Sequence, residues 1–252
     1  MRCYQIYPLK LAEFQGAEQS NFSYQKHFGI KIKAPVIAYL IRGENTNILV
    51  DTGCSNPDWA VKYHHPIVQT EEMLLPNVLN RFGLAPSDIT VIVNTHLHWD
   101  HCFNNHLFPD AKIYVQKKEL HFAITPLPSQ YVYYESPQLG LEPPFLKSLG
   151  NYVAVDGDYQ LQEGIDLIFT PGHTPGFQSV LVNTEKGKYL IAGDCVGLLE
   201  NWEQGTHGMP TPSGIHISLN EYYSTFAKMK RICDYVLPGH DARAFDHEVY
   251  PF

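Results

Sequence analysis

Little in this chain would staple it, anchor it or draw it to a polyanion. Its five cysteines (Cys3, Cys54, Cys102, Cys195 and Cys233) form an odd set without a C-x-x-C pair. That indicates neither a disulfide scaffold nor a zinc knuckle. Cys102 and Cys195 read as small buried hydrophobes. No apolar run approaches the roughly 20 residues of a membrane span. The stretch from Met1 to Lys10 lacks the long apolar region of a signal peptide, so the cytoplasm is the expected location. Charge is sparse and acidic, with 17% charged residues and a formal net charge of −8. Nucleic-acid binders cluster Lys and Arg; here Lys117-Lys118 and Lys228-Met229-Lys230-Arg231 read as solvated helix faces, and no nucleic-acid partner is expected. No low-complexity tract or linker divides the 252 residues, 44% of them hydrophobic. One domain over 1–252 with a sizeable core is expected.

Histidine is plentiful, with 13 in total, and its placement is ordered. Directly behind the apolar stretch Ile89-Thr90-Val91-Ile92-Val93 comes Asn94-Thr95-His96-Leu97-His98-Trp99-Asp100-His101. Neutral imidazole and ionised carboxylate suit zinc and similar borderline divalent ions. His96 and His98, two apart on extended chain, point the same way, while Asp100 and His101 can turn past the bend to a second point. Further donors stand at the ends of other apolar strands: His173 in Thr170-Pro171-Gly172-His173-Thr174-Pro175-Gly176, Asp194 after Leu190-Ile191-Ala192-Gly193, and His240 after Val236-Leu237-Pro238-Gly239. Ligand-type residues at several strand ends imply a sheet whose strands converge on one rim.

The remaining pattern supplies two similar halves. Val36 to Arg42 and Ile48 to Val50 read as a hairpin turning through Gly43 to Asn47. Asp51 after it is placed to hydrogen-bond a ligand imidazole from behind. A helix is expected over Pro76 to Phe82, then the motif strand, a strand at Lys112 to Val115 and a helix from Lys117. The second half shows strands at Asn151 to Val155, Asp166 to Phe169, Ser179 to Val182 and Lys188 to Ala192. A helix then runs from Leu219 to Cys233, with Ser218 and Glu221 as a capping box. Leu219, Tyr222, Tyr223, Phe226, Met229 and Cys233 form its apolar face. Strands followed by helices in both halves fit two facing sheets with helices outside. Asn56 to Gln69 (Trp59, Tyr63, His64, His65) and the proline-rich Thr125 to Gly150 (Tyr131, Tyr133, Tyr134) read as structureless pocket walls. Glu200 to Ser213, with Trp202 and His207, reads as a third wall. His64, His65, His207 and His216 are expected as surface or wall residues.

From Ala38-Tyr39-Leu40 through Ile48-Leu49-Val50-Asp51-Thr52-Gly53 and Thr170-Pro171-Gly172-His173-Thr174-Pro175-Gly176-Phe177-Gln178-Ser179 to Gly239-His240, the order of motifs resembles the metallo-β-lactamase superfamily. Within it, the wording is similar to the dinuclear zinc lactonases that open N-acyl homoserine lactones. The resemblance implies an α+β chain in a four-layer αββα sandwich. It implies two divalent metal ions, zinc first with iron or manganese as alternatives. His96, His98 and His173 would hold one, Asp100, His101 and His240 the other, and Asp194 would bridge. Trp99 would pack beside them. Two dications against Asp100, Asp194 and a shared hydroxide leave a net positive cluster, so bound water should ionise near neutral pH. The implied activity is a metal-dependent hydrolase that opens a lactone or related ester, with quorum quenching as its use. Its partner would be that small molecule, and the chain a monomer or homodimer. A glyoxalase II-like thioesterase is the neighbouring reading; a non-hydrolytic iron-dependent oxidoreductase of the same fold is the reading from another class. The lactonase pattern has a Tyr three residues after the bridging Asp, where this chain has Gly197. Tyr131, Tyr133 and Tyr134 are the candidate replacement donors, with Tyr133 and Tyr134 expected beside Asp100 and Asp194 as catalytic groups.

Overall fold

Alternation along the strands sorts apolar side chains to two faces, and the fold uses both. The structure, a computed structural model, describes residues 2–205 and 208–252. Its first sheet holds β1 (Gln5–Glu18), β2 (Lys31–Gly43), β3 (Thr46–Val50), β4 (Ile67–Val68), β5 (Val91–Val93), β6 (Lys112–Gln116) and β7 (Tyr152–Val155), in the order β4-β1-β2-β3-β5-β6-β7. The second holds β8 (Tyr159–Gln162), β9 (Ile165–Phe169), β10 (Gln178–Thr184), β11 (Gly187–Gly193) and β12 (Tyr235–Pro238), in the order β12-β11-β10-β9-β8. Ile37, Tyr39, Ile41, Ile48, Val50 and Val93 of the first sheet meet Leu167, Val180, Val182, Ile191 and Leu237 of the second in one central core. The alternate residues Ala38, Leu40, Leu49 and Ile92 face outward onto Leu75, Val78 and Leu79 of α3 (Leu75–Asn80). Leu181, Leu190 and Ala192 do the same toward Tyr222, Phe226 and Met229 of α7 (Leu219–Ile232). Helices therefore flank two packed sheets, giving the αββα layering.

The expected hairpin is present, with β2 and β3 antiparallel and longer than the apolar run implied. Helix α7 opens on Ser218, whose side chain accepts from the Glu221 N–H. Its expected stripe needs one correction, because Tyr223 is 41% exposed and Thr225 is buried instead. Strand β1 has no clean period-two pattern, since register shifts between Lys10 and Ala12 and between Gln15 and Ala17 reverse which side chains face the core. The two stretches read as structureless are ordered instead. One carries α2 (Pro57–Tyr63) and β4; the other carries short 3-10 turns at Pro128–Gln130, Pro137–Leu139 and Pro144–Asn151. Two further short helices matter for the site, α1 (Gln19–Phe22) and α4 (Trp99–Cys102), and α5 (Lys117–Ile124) and α6 (Leu199–Glu203) complete the α-helices among the described residues. Among the described residues no helix is long and apolar enough to cross a membrane.

Candidate metal centre

Both sheets end at one rim, and the donors gather there. His96 and His98 follow β5, Asp100 and His101 lie in α4, His173 sits in the β9–β10 turn, Asp194 follows β11 and His240 follows β12. Two groups result: His96, His98, His173 and Asp194, and Asp100, His101 and His240, with ligand atoms within 4.8 Å of one another in each. The Asp194 carboxylate is divided between them. Its Oδ2 lies 3.4 Å from His173 Nε2 and 3.9 Å from His96 Nε2. Its Oδ1 lies 3.2 Å from His101 Nε2 and 3.0 Å from His240 Nε2. Asp100 Oδ2 stands 3.7 Å from the Nε2 atoms of both His101 and His240. Gly239 makes room for this approach, since a Cβ there would lie 2.7 Å from Asp194 Oδ1.

The imidazoles are aimed from behind. His173 Nδ1 bonds the Ile215 carbonyl at 2.7 Å, and His240 Nδ1 the Pro35 carbonyl at 2.9 Å. A carbonyl only accepts, so Nδ1 carries a proton in each ring and Nε2 is the atom turned toward the centre. Asp51 does the same for His101 at 2.8 Å, as its position predicted, and also accepts from the Thr95 N–H and hydroxyl. His96 Nε2, His98 Nε2, His101 Nε2 and Asp194 Oδ1 are buried without a hydrogen-bond partner. Buried polar atoms are rarely left so. Unpartnered ring nitrogens and a carboxylate oxygen converging on two points fit metal ions.

Electrostatics separate the two groups. Burial, reinforced by His101, His98 and His173, pushes His96 well below the usual imidazole range. Burial and His173 do the same to His98, and burial lowers His173 despite Asp194. In the second group burial is outweighed: Asp194, Asp100 and Asp51 raise His101 well above its ordinary value, and Asp194 and Asp100 raise His240. Burial would raise Asp194, but His240 and His101 hold it well below the usual carboxylate range.

A pocket opens onto the donors, walled by Phe14 and Ala17 of β1, Asn21 and Phe22 of α1, and His65, Trp99, Tyr133 and Ile215. Half of this wall comes from the chain's start, where the sequence carries no signal beyond aromatic content. Phe14 and Phe22 lie 5.7 and 5.3 Å, ring to ring, from His240. Tyr133 stands against His98 at 5.2 Å, where the loop reading put it. Tyr134 requires a correction: it is fully buried, and its hydroxyl donates to Glu119 Oε1 at 2.6 Å, outside the pocket lining. The third wall is also displaced. Trp202 packs on Phe226 beneath the second sheet, and His207 lies outside the described residues. His64 is no surface residue either. It stacks on Trp99 at 3.9 Å and, with Trp59 Nε1, bonds Glu135 Oε1 at 2.7 Å. His216 bonds the Ser213 carbonyl and leaves the donors alone. Burial raises both the Cys102 and Cys195 thiols, which are packing groups. A Cβ at Gly197 would lie 3.3 Å from Phe22 Cδ1, so the Phe22 ring already stands where a side chain would project.

The sequence pattern of the metallo-beta-lactamase superfamily matches residues 34–240, and the chain belongs to that superfamily. It is a metal-dependent hydrolase of the lactonase-like kind. An N-acyl homoserine lactonase of a Bacillus species is 36% identical over 190 residues, 69% of each chain. Another, from Azorhizobium caulinodans, is 28% identical over 240 residues, 89% of each chain. A solved N-acyl homoserine lactone hydrolase with N-hexanoyl-L-homoserine bound at its catalytic metal centre is similar across 100% of this chain and 99% of that one. It has 25% identity and a TM-score of 0.77.

Proposed function

We propose that this hydrolase opens a lactone ring or related carboxylic ester at two zinc ions. His96, His98 and His173 would hold one ion, Asp100, His101 and His240 the other, and Asp194 both. The observation that carries this reading is the division of the Asp194 carboxylate, one oxygen toward each histidine group. Five imidazoles and two carboxylates suit zinc, while iron or manganese accepts the same donors. Bound there, the ions supply an acidified water and Lewis acidity toward a carbonyl. The residues do the rest. Asp100 and Asp194 hold the charge balance, and the Nδ1 bonds of His101, His173 and His240 keep those rings aimed. Tyr133, which lines the pocket, would donate to a substrate carbonyl, and Phe14, Phe22, Trp99 and Ile215 would offer an apolar surface for an acyl group. Because both sheets contribute donors, residues 1–252 would act as one catalytic unit. The lactonase relatives make an acyl homoserine lactone the first substrate to try, with quorum quenching as the corresponding use.

The test is a panel of lactones, aryl esters, thioesters and a β-lactam on metal-analysed protein. Opening a lactone yields an ionised acid and one proton per turnover at neutral pH, so an indicator in weak buffer should acidify. Release of thiol alone, with every lactone untouched, would replace this reading by a thioesterase.

A further inference from the structure

Behind the first histidine group lies a buried carboxylate that is not one of its donors and pairs with no cation among the described residues. Glu119, in the first turn of α5, is fully buried. Hydrogen bonds hold both of its oxygens. Oε1 accepts the Leu97 N–H at 3.0 Å and the Tyr134 hydroxyl at 2.6 Å, and Oε2 accepts the Thr174 hydroxyl at 2.6 Å. Burial pushes the carboxyl above its ordinary range, against the opposing pull of these bonds and of the Gly176 N–H. Gly176 cannot carry a side chain, because a Cβ there would run into the Glu119 backbone.

The partners are informative by position. Leu97 stands between His96 and His98, and Thr174 follows His173. One carboxylate thus grips both segments that present the three imidazoles, plus the loop that carries Tyr133. Hydrogen bonds to a buried charge are the strong kind, and a networked polar group fixes geometry where apolar packing would allow drift. We infer that Glu119 is the positioning residue of the first metal site, setting the spacing between the His96/His98 segment and the His173 turn. The inference rests on those three histidines being metal ligands.

The test compares Glu119→Gln, Glu119→Ala and Thr174→Val with wild type by zinc titration of chelator-stripped protein and by the absorption spectrum of bound cobalt(II). In Glu119→Gln the amide oxygen still accepts from Leu97 and Tyr134. Its NH2 then replaces Oε2, the atom that accepts the Thr174 hydroxyl on the His173 side, and the carboxylate charge is gone. One of the two ions should bind about 10–100-fold more weakly, the usual cost of losing such a supporting group, while the other keeps its affinity and spectrum. Thr174→Val should shift the same ion in the same direction by less. Circular dichroism checks folding; if Glu119→Ala does not fold, the other two variants carry the test. Wild-type affinity for both ions in Glu119→Gln and Thr174→Val overturns the inference, and so does an equal loss at both ions. The underlying reading is tested separately: His96→Ala must lose one ion of two. If it loses none, both that reading and this inference fall.

Discussion

The imidazoles of His96, His98 and His173 meet one carboxylate, the shared Asp194, and Glu119 behind them bonds only their neighbours, whereas His101 and His240 share their group with Asp100, and Asp51 bonds His101 directly. In the first, burial keeps His96 and His98 neutral, their lone pairs ready. In the second, surrounding carboxylates make His101 and His240 favour the protonated form. The first must therefore be held open mechanically by hydrogen bonds from outside, while the second can hold itself together by ion pairs. Two sites only a few ångströms apart on the same rim can be tuned differently because each reads its own surroundings.

Removing what the two groups share should have the largest effect. Asp194→Ala is expected to lower turnover by on the order of 10³-fold or more, about 4 kcal/mol of barrier, with loss of most of one ion by elemental analysis. A variant that retains two ions and most activity would end the bridged description.

The next test sets the two groups apart by pH. A metal binding an imidazole displaces its proton. His101 and His240 have raised pKa values, so loading their site at pH 7 should release protons. His96 and His98 are lowered and neutral there, so loading theirs should release none from them. On acidification the second site should empty first, its affinity falling about tenfold per pH unit for each proton displaced. Proton counts during zinc titration in weak buffer check this. Equal release at both sites would erase the contrast.

The neighbouring tyrosines sharpen it further. Tyr133→Phe should lower kcat by up to roughly 10²-fold with unchanged metal content, as for a donor acting in the transition state. Tyr134→Phe should instead weaken one ion through Glu119, with a smaller change in kcat at saturating zinc. The two variants assayed side by side, for kcat and for bound metal, should therefore fail in different columns.

The smallest effect is expected at Gly197. Its Tyr variant must displace the Phe22 ring, an overpacking cost of about 1–3 kcal/mol, read as a lowered Tm with both ions retained. Pairing it with Phe22→Ala should restore the Tm. If Gly197→Tyr alone is as stable as wild type, Phe22 does not fill that space.

Local order was the part most open to sequence reasoning. The seven donors could be named because each follows an apolar strand, and strand ends in a layered fold meet at an edge. Asp51 was readable for the same reason. What escaped depends on long-range placement. Two register shifts hide β1, and with it the Phe14 wall. Tyr133 and Tyr134 look alike as neighbours in a loop, yet the turn that follows the 3-10 helix at Pro128–Gln130 sends one ring to the pocket and the other into the core. Glu119 resembles any helix-start acid until Leu97, Tyr134 and Thr174 are seen to close on it.

By itself the sequence determined the donor chemistry, the strand and helix periods and hence the layered class, since hydrophobic alternation and ligand type are local properties of the chain. Only the tertiary structure decided that the Asp194 oxygens part between two histidine groups, that a carboxylate in α5 holds two distant loops in register, and that a phenylalanine from the chain's start covers Gly197. Those contacts join residues about 20 to 175 positions apart, as Leu97 to Glu119 and Phe22 to Gly197 show. Their partners are chosen by how the two sheets pack, and no periodicity along the chain encodes that choice.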